Sequence, residues 1–144
     1  MSPLPQLRLA DDSPVHVVKS CYDAFARGNI PEIIGLCAED VEWVVPGSRE
    51  IPYTGTYRGK AEVKQFFAQL GAAVDFTKFD PTEYLVDGER VVTLGFYAAT
   101  VKASGHMFAA DWAMLYTIHN GRIRRFREFT DTHALAYAFK VYED

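Results

Sequence analysis

A glutamate set among aromatic residues is the feature of this sequence best suited to chemistry. In the run Arg122 to Thr130, Phe126, Glu128 and Thr130 share one parity, while Arg125, Arg127 and Phe129 share the other. Alternate residues of a strand face opposite sides, so Glu128 is expected on an aromatic wall with the arginines turned away from it. A carboxylate on such a wall has its charged form desolvated and its pKa raised, which suits a general base or acid near neutral pH. The plainer alternative is an ion pair with a neighbour in the cluster Arg122, Arg124, Arg125 and Arg127.

Two further residues come within reach of Glu128 if the turns are read literally. A two-residue turn at Ser104-Gly105 pairs Ala103 with His106 and sets Tyr97 opposite Trp112. A three-residue loop His119-Asn120-Gly121, with a bulge at the glycine, pairs Ile118 with Arg122 and sets Trp112 opposite Glu128. Tyr97, Trp112 and Glu128 then form one cross-strand row, on a face shared with Phe108, Ala110, Met114, Phe126 and Thr130. The opposite face carries Asp111, Ala113, Leu115, Ile123, Arg125, Arg127 and Phe129, with Asp111 expected to pair with Arg127. A two-residue Asn120-Gly121 turn would instead slip the pairing by one and set Glu128 opposite Ala113. In the first register the Tyr97 hydroxyl can orient a ligand or stabilise an oxyanion, and the Trp112 indole N–H can donate to one. A core tyrosine bonded to backbone is the alternative for Tyr97.

These side chains need a scaffold. Ser13-Pro14 reads as an N-cap followed by proline at the first helical position, and Val15, Val18, Tyr22 and Phe25 make a helical stripe ended by Arg27-Gly28. Asn29 with Glu32 resembles a capping box for a short second helix through Ile33, Leu36 and Cys37. A strand at 41–45 presents Trp43 either as a pocket wall for an apolar ligand or as plain core, and Pro46-Gly47 stops it. The loop 46–58 is long enough to form a pocket rim, with Tyr53 and Tyr57 placed to close the mouth. A third helix from Gly59 to about Ala73 carries the stripe Val63, Phe66, Phe67, Leu70 and Val74. Turn signals at Asp87-Gly88, Ser104-Gly105 and Asn120-Gly121 then divide long strands near 75–86, 89–102, 106–118 and 122–130. Asp131 caps a last helix. Helices first and a meander afterwards is an α+β pattern, with residues 1–12 as a flexible leader, 13–140 as one domain and 141–144 as a tail.

The totals narrow the function. At 144 residues the chain is the size of one domain. Its net charge of −4 argues against a nucleic-acid partner, which needs a basic field. No apolar run has the length of a membrane span, and residues 1–10 lack the pattern of a signal peptide, so a cytoplasmic location is expected. Cys21 and Cys37, both placed in helices, read as reduced core thiols. The histidines have no metal-ligand spacing, and there is no nucleophile elbow, phosphate loop or dinucleotide fingerprint. Neither a metal nor a cofactor is expected.

Four stretches in this order carry a resemblance: Tyr22-Asp-Ala-Phe-Ala-Arg-Gly-Asn, Ala38-Glu-Asp-Val-Glu-Trp-Val-Val-Pro-Gly, Gly55-Thr-Tyr-Arg-Gly-Lys and Asn120-Gly-Arg-Ile-Arg-Arg-Phe-Arg-Glu-Phe-Thr-Asp. Over roughly residues 15–140 the chain resembles the nuclear transport factor 2-like superfamily, in its SnoaL-like and ketosteroid isomerase-related branch. The resemblance implies a cone-shaped curved antiparallel sheet wrapped around three N-terminal helices, as in cystatin-like folds, often in a homodimer. It also implies a small apolar ligand in the cone. Ketosteroid isomerases place a general-base Asp where this chain has Trp43 and an oxyanion-hole Asp near Trp112 to Met114, and their helix-one Tyr falls beside Tyr22. Limonene-epoxide-hydrolase-like members use an Asp–Arg–Asp set at positions matching Tyr97, Gly95 and Glu128. Only Glu128 keeps a carboxylate. The expectation is a pocket protein acting without cofactor on a small apolar carbonyl or ring compound by isomerisation, cyclisation or hydrolysis. The alternative is a module that binds a hydrophobic ligand and catalyses nothing. Glu128 and Tyr97 are the expected catalytic pair, with Trp43, Tyr53, Tyr57, Phe66, Phe108, Trp112 and Phe126 around the ligand.

Overall fold

The computed structural model describes residues 13–140; the expected leader and tail lie outside them. The helical starts follow their caps. Ser13 Oγ accepts from the His16 amide at 3.4 Å and opens α1 (Pro14–Ala26), which ends at Gly28 with φ +69°. Asn29 Oδ1 accepts from the Glu32 amide at 3.2 Å and opens α2 (Ile30–Leu36). Cys37 is the first residue of β1 (Cys37–Val45) and not part of a helix as expected, because its backbone is already extended at φ −85°, ψ 146°. The rim loop also holds more structure than expected. Gly55–Arg58 forms β2, an antiparallel partner of β1 that pairs Trp43 with Tyr57.

After α3 (Gly59–Ala73) come β3 (Val74–Asp87), β4 (Arg90–Val101), β5 (Met107–His119) and β6 (Arg122–Thr130), and α4 (Thr132–Phe139) closes the domain. Asp131 caps α4 by accepting from the Ala134 amide at 3.0 Å. The six strands form one curved, unclosed sheet in the order β2-β1-β6-β5-β4-β3. It is antiparallel throughout except for the parallel pair β1–β6, so the purely antiparallel expectation is corrected at that seam. Two bulges bend the edge strand β3, at Phe76/Lys78 and at Pro81/Glu83. At each, the hydroxyl of the extra residue bonds a carbonyl of β4: Thr77 to Ala98 at 3.2 Å and Thr82 to Leu94 at 3.1 Å. The bulged strand curls over the concave face, where α1 and α3 cover the core.

The two expected turns differ in detail, with consequences for register. The turn between β4 and β5 is wider than two residues. Lys102 N–H donates to Ala73 O at 2.9 Å, Ser104 Oγ donates to Ala138 O at 3.0 Å, and Val101 N–H donates to His106 O at 2.8 Å. The loop is thus drawn onto the ends of α3 and α4, and the pairing moves by two residues. Tyr97 lies opposite Ala110, and Trp112 opposite Gly95. The last hairpin is a two-residue turn, with Asn120 at φ +51° and Gly121 at φ +74°, the left-handed pair of a type I′ turn. His119 pairs with Arg122 across it. A bulge further along, between Thr117 and Ile118 on the β5 side, leaves Arg124 without a partner and sets Met114 opposite Glu128 and Trp112 opposite Thr130. The single row Tyr97–Trp112–Glu128 therefore does not exist. Both shifts net two residues, so every residue expected on the inner face from Phe108 to Thr130 remains there. Ile123, expected on the outer face, changes sides. It lies before the bulge, pairs with Ile118 and is fully buried rather than on the outer face. Asp111 does not meet Arg127, which pairs with Leu115 and lies 5.3 Å from the Phe129 ring centroid.

Candidate functional site

The concave face and the helices line a half-open cavity of about 60 Å³, bounded almost entirely by aromatic and aliphatic side chains. Among the described residues no Lys, Arg or His lines it. A water centre needs roughly 10–15 Å³, so the space is on the scale of a single small ring. Its walls are rigid because the rings lock one another. Trp43 stacks on Phe126 at 3.9 Å with planes 19° apart, as their pairing across β1 and β6 dictates, and meets Phe66 and Phe67 edge-on or tilted.

Among the described residues Glu128 is the one carboxylate in this lining, and it is 8% exposed. Burial pushes its carboxyl up to about 7, and the bond from Tyr97 pulls it part of the way back. It takes part in no ion pair among the described residues, whereas the nearby arginines are occupied elsewhere: Arg122 bonds Gly35 O, Arg124 Asp40 and Arg125 Glu42. The ion-pair alternative is thus not what the structure holds. Tyr97, although not directly opposite, reaches Glu128 because its cross-strand neighbour Ala110 presents only a methyl group. Its hydroxyl lies 3.2 Å from Glu128 Oε2 and 2.8 Å from Thr130 Oγ1. A phenol has one proton to give. With Glu128 ionised, Tyr97 donates to the carboxylate and Thr130 donates to the phenol oxygen. With Glu128 protonated, the chain can reverse, the carboxyl donating to the phenol and the phenol to Thr130. The three side chains therefore accommodate either protonation state without moving a heavy atom.

Of the expected site residues, Glu128, Tyr97, Trp43, Tyr53, Phe66 and Phe126 line the cavity. Tyr53 is 4% exposed; burial, and secondarily the Glu128 charge, push its phenol well above the usual value. Tyr57, Phe108 and Trp112 do not reach the cavity. The Tyr57 hydroxyl lies 2.8 Å from the Tyr53 carbonyl and buttresses the rim from behind. Phe108 backs Tyr97 and Phe139. Trp112 is held beneath Tyr22, Phe79 and Tyr97 by the slip that put it over Gly95.

Other lining residues were legible only in part. Tyr22 and Phe25 stood in the α1 stripe and Met114 on the inner face, and the resemblance wrapped the sheet around the helices without saying which of these residues meet. Phe76 and Phe79, three apart, defeat simple alternation, because the bulge at Thr77 turns both inward. Among the described residues no group of three or more His, Cys, Asp or Glu is placed to hold a metal ion, and no helix is long and apolar enough to cross a membrane.

An NTF2-like α+β fold, with a curved, unclosed sheet whose cavity holds one carboxylate among the described residues, is the class of protein that fold and cavity define. The profile of the SnoaL-like domain matches residues 18–126, and the chain belongs to that family. An uncharacterised protein of Mycobacterium tuberculosis is 29% identical over 91% of this chain and 98% of its own length. The crystal structure of an NTF2-like protein from Burkholderia xenovorans is 33% identical, with a TM-score of 0.81 over 88% of this chain and 95% of that one. TerC, co-crystallised with polyporic acid, is 25% identical, with a TM-score of 0.78 over 88% and 97%.

Proposed function

We propose that this SnoaL-like protein is a cofactor-independent enzyme that moves a proton on a small apolar carbonyl or ring compound, in the manner of an isomerase, cyclase or hydrolase. One observation carries the reading. The Glu128 carboxyl sits in an aromatic cavity, paired with no cation among the described residues and with its pKa pushed up to about 7, so that it can both take and return a proton at neutral pH. Glu128 is the base, and Tyr97 with Thr130 adjusts to its protonation state. For a ketone the first step removes a proton from the carbon beside the carbonyl. The C–H electron pair becomes the C=C bond of an enolate, the charge passes to the carbonyl oxygen, and the proton rests on Glu128 until it is returned. The co-crystallisation of TerC with polyporic acid, at 25% identity, supports a small-molecule ligand in this fold.

The test is solvent exchange. Small cyclic ketones incubated with the protein in D2O are expected to gain deuterium beside the carbonyl, followed by NMR. Glu128→Gln is expected to slow the gain roughly 100- to 10,000-fold. No gain above the buffer rate with any ketone, or an unchanged rate in the variant, would overturn the reading. The second reading, a ligand-binding module without catalysis, is favoured by Trp43, which places an indole on β1 where a second acid would assist the chemistry. Binding without exchange would select it.

The proposal extends to a cytoplasmic homodimer. Two buried, unpaired thiols, Cys21 and Cys37, suit a reducing compartment. The outer sheet face exposes Phe129 at 48% beside Arg127 and Leu115, which is a surface suited to a second copy. Analytical ultracentrifugation showing a monomer would remove the dimer.

A further inference from the structure

A carboxyl that faces an apolar ligand in an apolar cavity needs another way to trade its proton with water. The hydrogen bonds around Glu128 supply one. Glu128 and Thr130 are two apart on β6 and share its inner face, which sets them about 6.6 Å apart along the strand. One oxygen can bridge such a gap. The Tyr97 phenol does so. It comes from β4, passes the Ala110 methyl group on β5, and ends 3.2 Å from Glu128 Oε2 and 2.8 Å from Thr130 Oγ1.

The three groups differ in what they meet. Glu128 and Tyr97 line the cavity and are buried, at 8% and 2% exposure. Thr130 does not line it and is only half-buried. It is the last residue of β6, next to the exposed Asp131 that caps α4. The chain of hydroxyls thus begins in the cavity and ends at a residue that meets water elsewhere. Tyr97 gives the carboxyl its one hydrogen bond among the described residues. The Tyr53 phenol, also in the lining, feels the Glu128 charge without such a bond.

We propose that Tyr97 and Thr130 form a proton relay that connects Glu128 to solvent without passing through the cavity, with Thr130 as its outlet. Its use in a reaction rests on the proton-transfer reading above. In one passage the carboxyl proton moves to the Tyr97 oxygen, the phenol proton moves to Thr130 Oγ1, and the threonine proton passes to a water at the surface. Three O–H bonds break and three form. Glu128 is left ionised, the water becomes hydronium, and neither hydroxyl keeps a charge. The concerted route matters because burial holds the Tyr97 phenol far above its usual value, so a free phenolate does not form on the way. Before the passage Glu128 donates to Tyr97 and Tyr97 to Thr130. After it Thr130 donates to Tyr97 and Tyr97 to the carboxylate. These are the two patterns that the protonated and ionised carboxyl require, so the passage itself reverses the chain and no side chain turns. The reverse passage reloads the acid.

NMR of the protein with glutamate labelled by 13C at the carboxyl carbon tests this without any turnover. At the midpoint of its titration, Glu128 in the native protein is expected to give one averaged signal for its protonated and ionised forms. Thr130→Val keeps the branched shape and removes the hydroxyl. At its own midpoint it should exchange the proton about tenfold more slowly or worse, so that the signal broadens or splits. Thr130→Ser restores a hydroxyl and should restore the averaged signal. In mixtures of H2O and D2O the native exchange rate should fall along a curve, as it does when several protons move together, and Thr130→Val should lose that curvature. A threonine that only anchored the phenol would change the melting temperature when replaced and leave both signatures unaltered. An averaged signal that persists in Thr130→Val, or a straight-line isotope dependence in the native protein, would overturn the proposal. Deuterium gain by small cyclic ketones is read separately. Its absence with both signatures present would sink the chemistry and leave the relay, and its presence without them would leave the base and remove the relay.

Discussion

Glu42 and Glu128 stand on adjacent strands, β1 and β6, and face opposite sides of the same sheet. On the outer face, Glu42 has Arg58 across on β2 and Arg125 across on β6, and both guanidinium groups reach its carboxylate. On the inner face, Glu128 has Met114 across on β5 and a phenol within reach. One glutamate is thus neutralised by its cross-strand partners, which is the ordinary way a sheet places charge. The other is buried with no positive partner among the described residues, in a strand where three arginines stand within four residues of it. Alternation turns Arg125 and Arg127 away, and the bulge strands Arg124 on the outer side as well. An unpaired buried acid is costly to a fold, and such costs concentrate where a site uses them.

The comparison breaks most severely if the inner face is not as tightly packed as its geometry implies. Gly95 is the sharpest probe. A Cβ there would sit 2.3 Å from Trp112 Cζ2 and 2.6 Å from Asp80 O, one a wedged indole and the other backbone. Gly95→Ala is expected to cost about 3 kcal/mol or more in urea denaturation, while Ala113→Val on the outer face should stay within about 0.5 kcal/mol of the native protein. Similar stabilities for the two variants would mean that the inner face yields.

A comparable effect follows from pH. Glu128 titrates near 7 in the folded protein against an ordinary value of 4.5. Between those values the native state holds a proton that the unfolded chain has released. This contribution to stability is therefore full below about 4.5 and is lost as pH rises through 7. The shift corresponds to about 3 kcal/mol. Glu128→Gln should remove that dependence and be the more stable protein at pH 8. A native protein whose stability gains nothing relative to Glu128→Gln on going from pH 8 to pH 5 would show that the carboxylate is solvated or paired after all.

Tyr97→Phe sharpens the same point at smaller scale. The phenol bond is what holds the Glu128 carboxyl down against burial. Its loss should move the base limb of the exchange–pH profile upward by about one unit. Rates at high pH should fall much less than in Glu128→Gln. A profile that stays in place would mean that the phenol donates to Thr130 in both protonation states.

Much of this contrast was legible in the chain because a face of a strand is a matter of parity. The alternation through Arg122–Thr130 placed Glu128 inside even though both turns were misread, since each misreading amounted to two residues. What parity cannot supply is the row. The Lys102 amide bonds the end of α3 and Ser104 bonds the end of α4, and neither contact is visible from a turn signature alone. Ile123 was misplaced because the extra residue is Arg124 and not Gly121. β2 was hidden inside a loop whose proline and glycine content masks four residues that pair with β1. The bond from the Tyr22 hydroxyl to Met114 joins residues separated by 92 positions and follows from where α1 lies on the sheet.

The smallest expected effect tests the outer member of the pair. The Glu42 side chain is 27% exposed and its two arginines 70% each, so water and salt already screen the charges. Glu42→Gln should cost about 1 kcal/mol or less at low ionic strength, and that cost should shrink as salt is added. The sign is the discriminating feature. At pH 8 the same chemical change, carboxylate to amide, is expected to weaken the fold at position 42 and strengthen it at position 128. Only an outer carboxylate that attracts its neighbours and an inner one that has none to attract produce opposite signs. Denaturant titrations of both variants at pH 8, each at low and high salt, measure this directly. Two losses of equal size would mean that both glutamates are structural, and the acid in the cavity would no longer stand apart from the rest of the sheet.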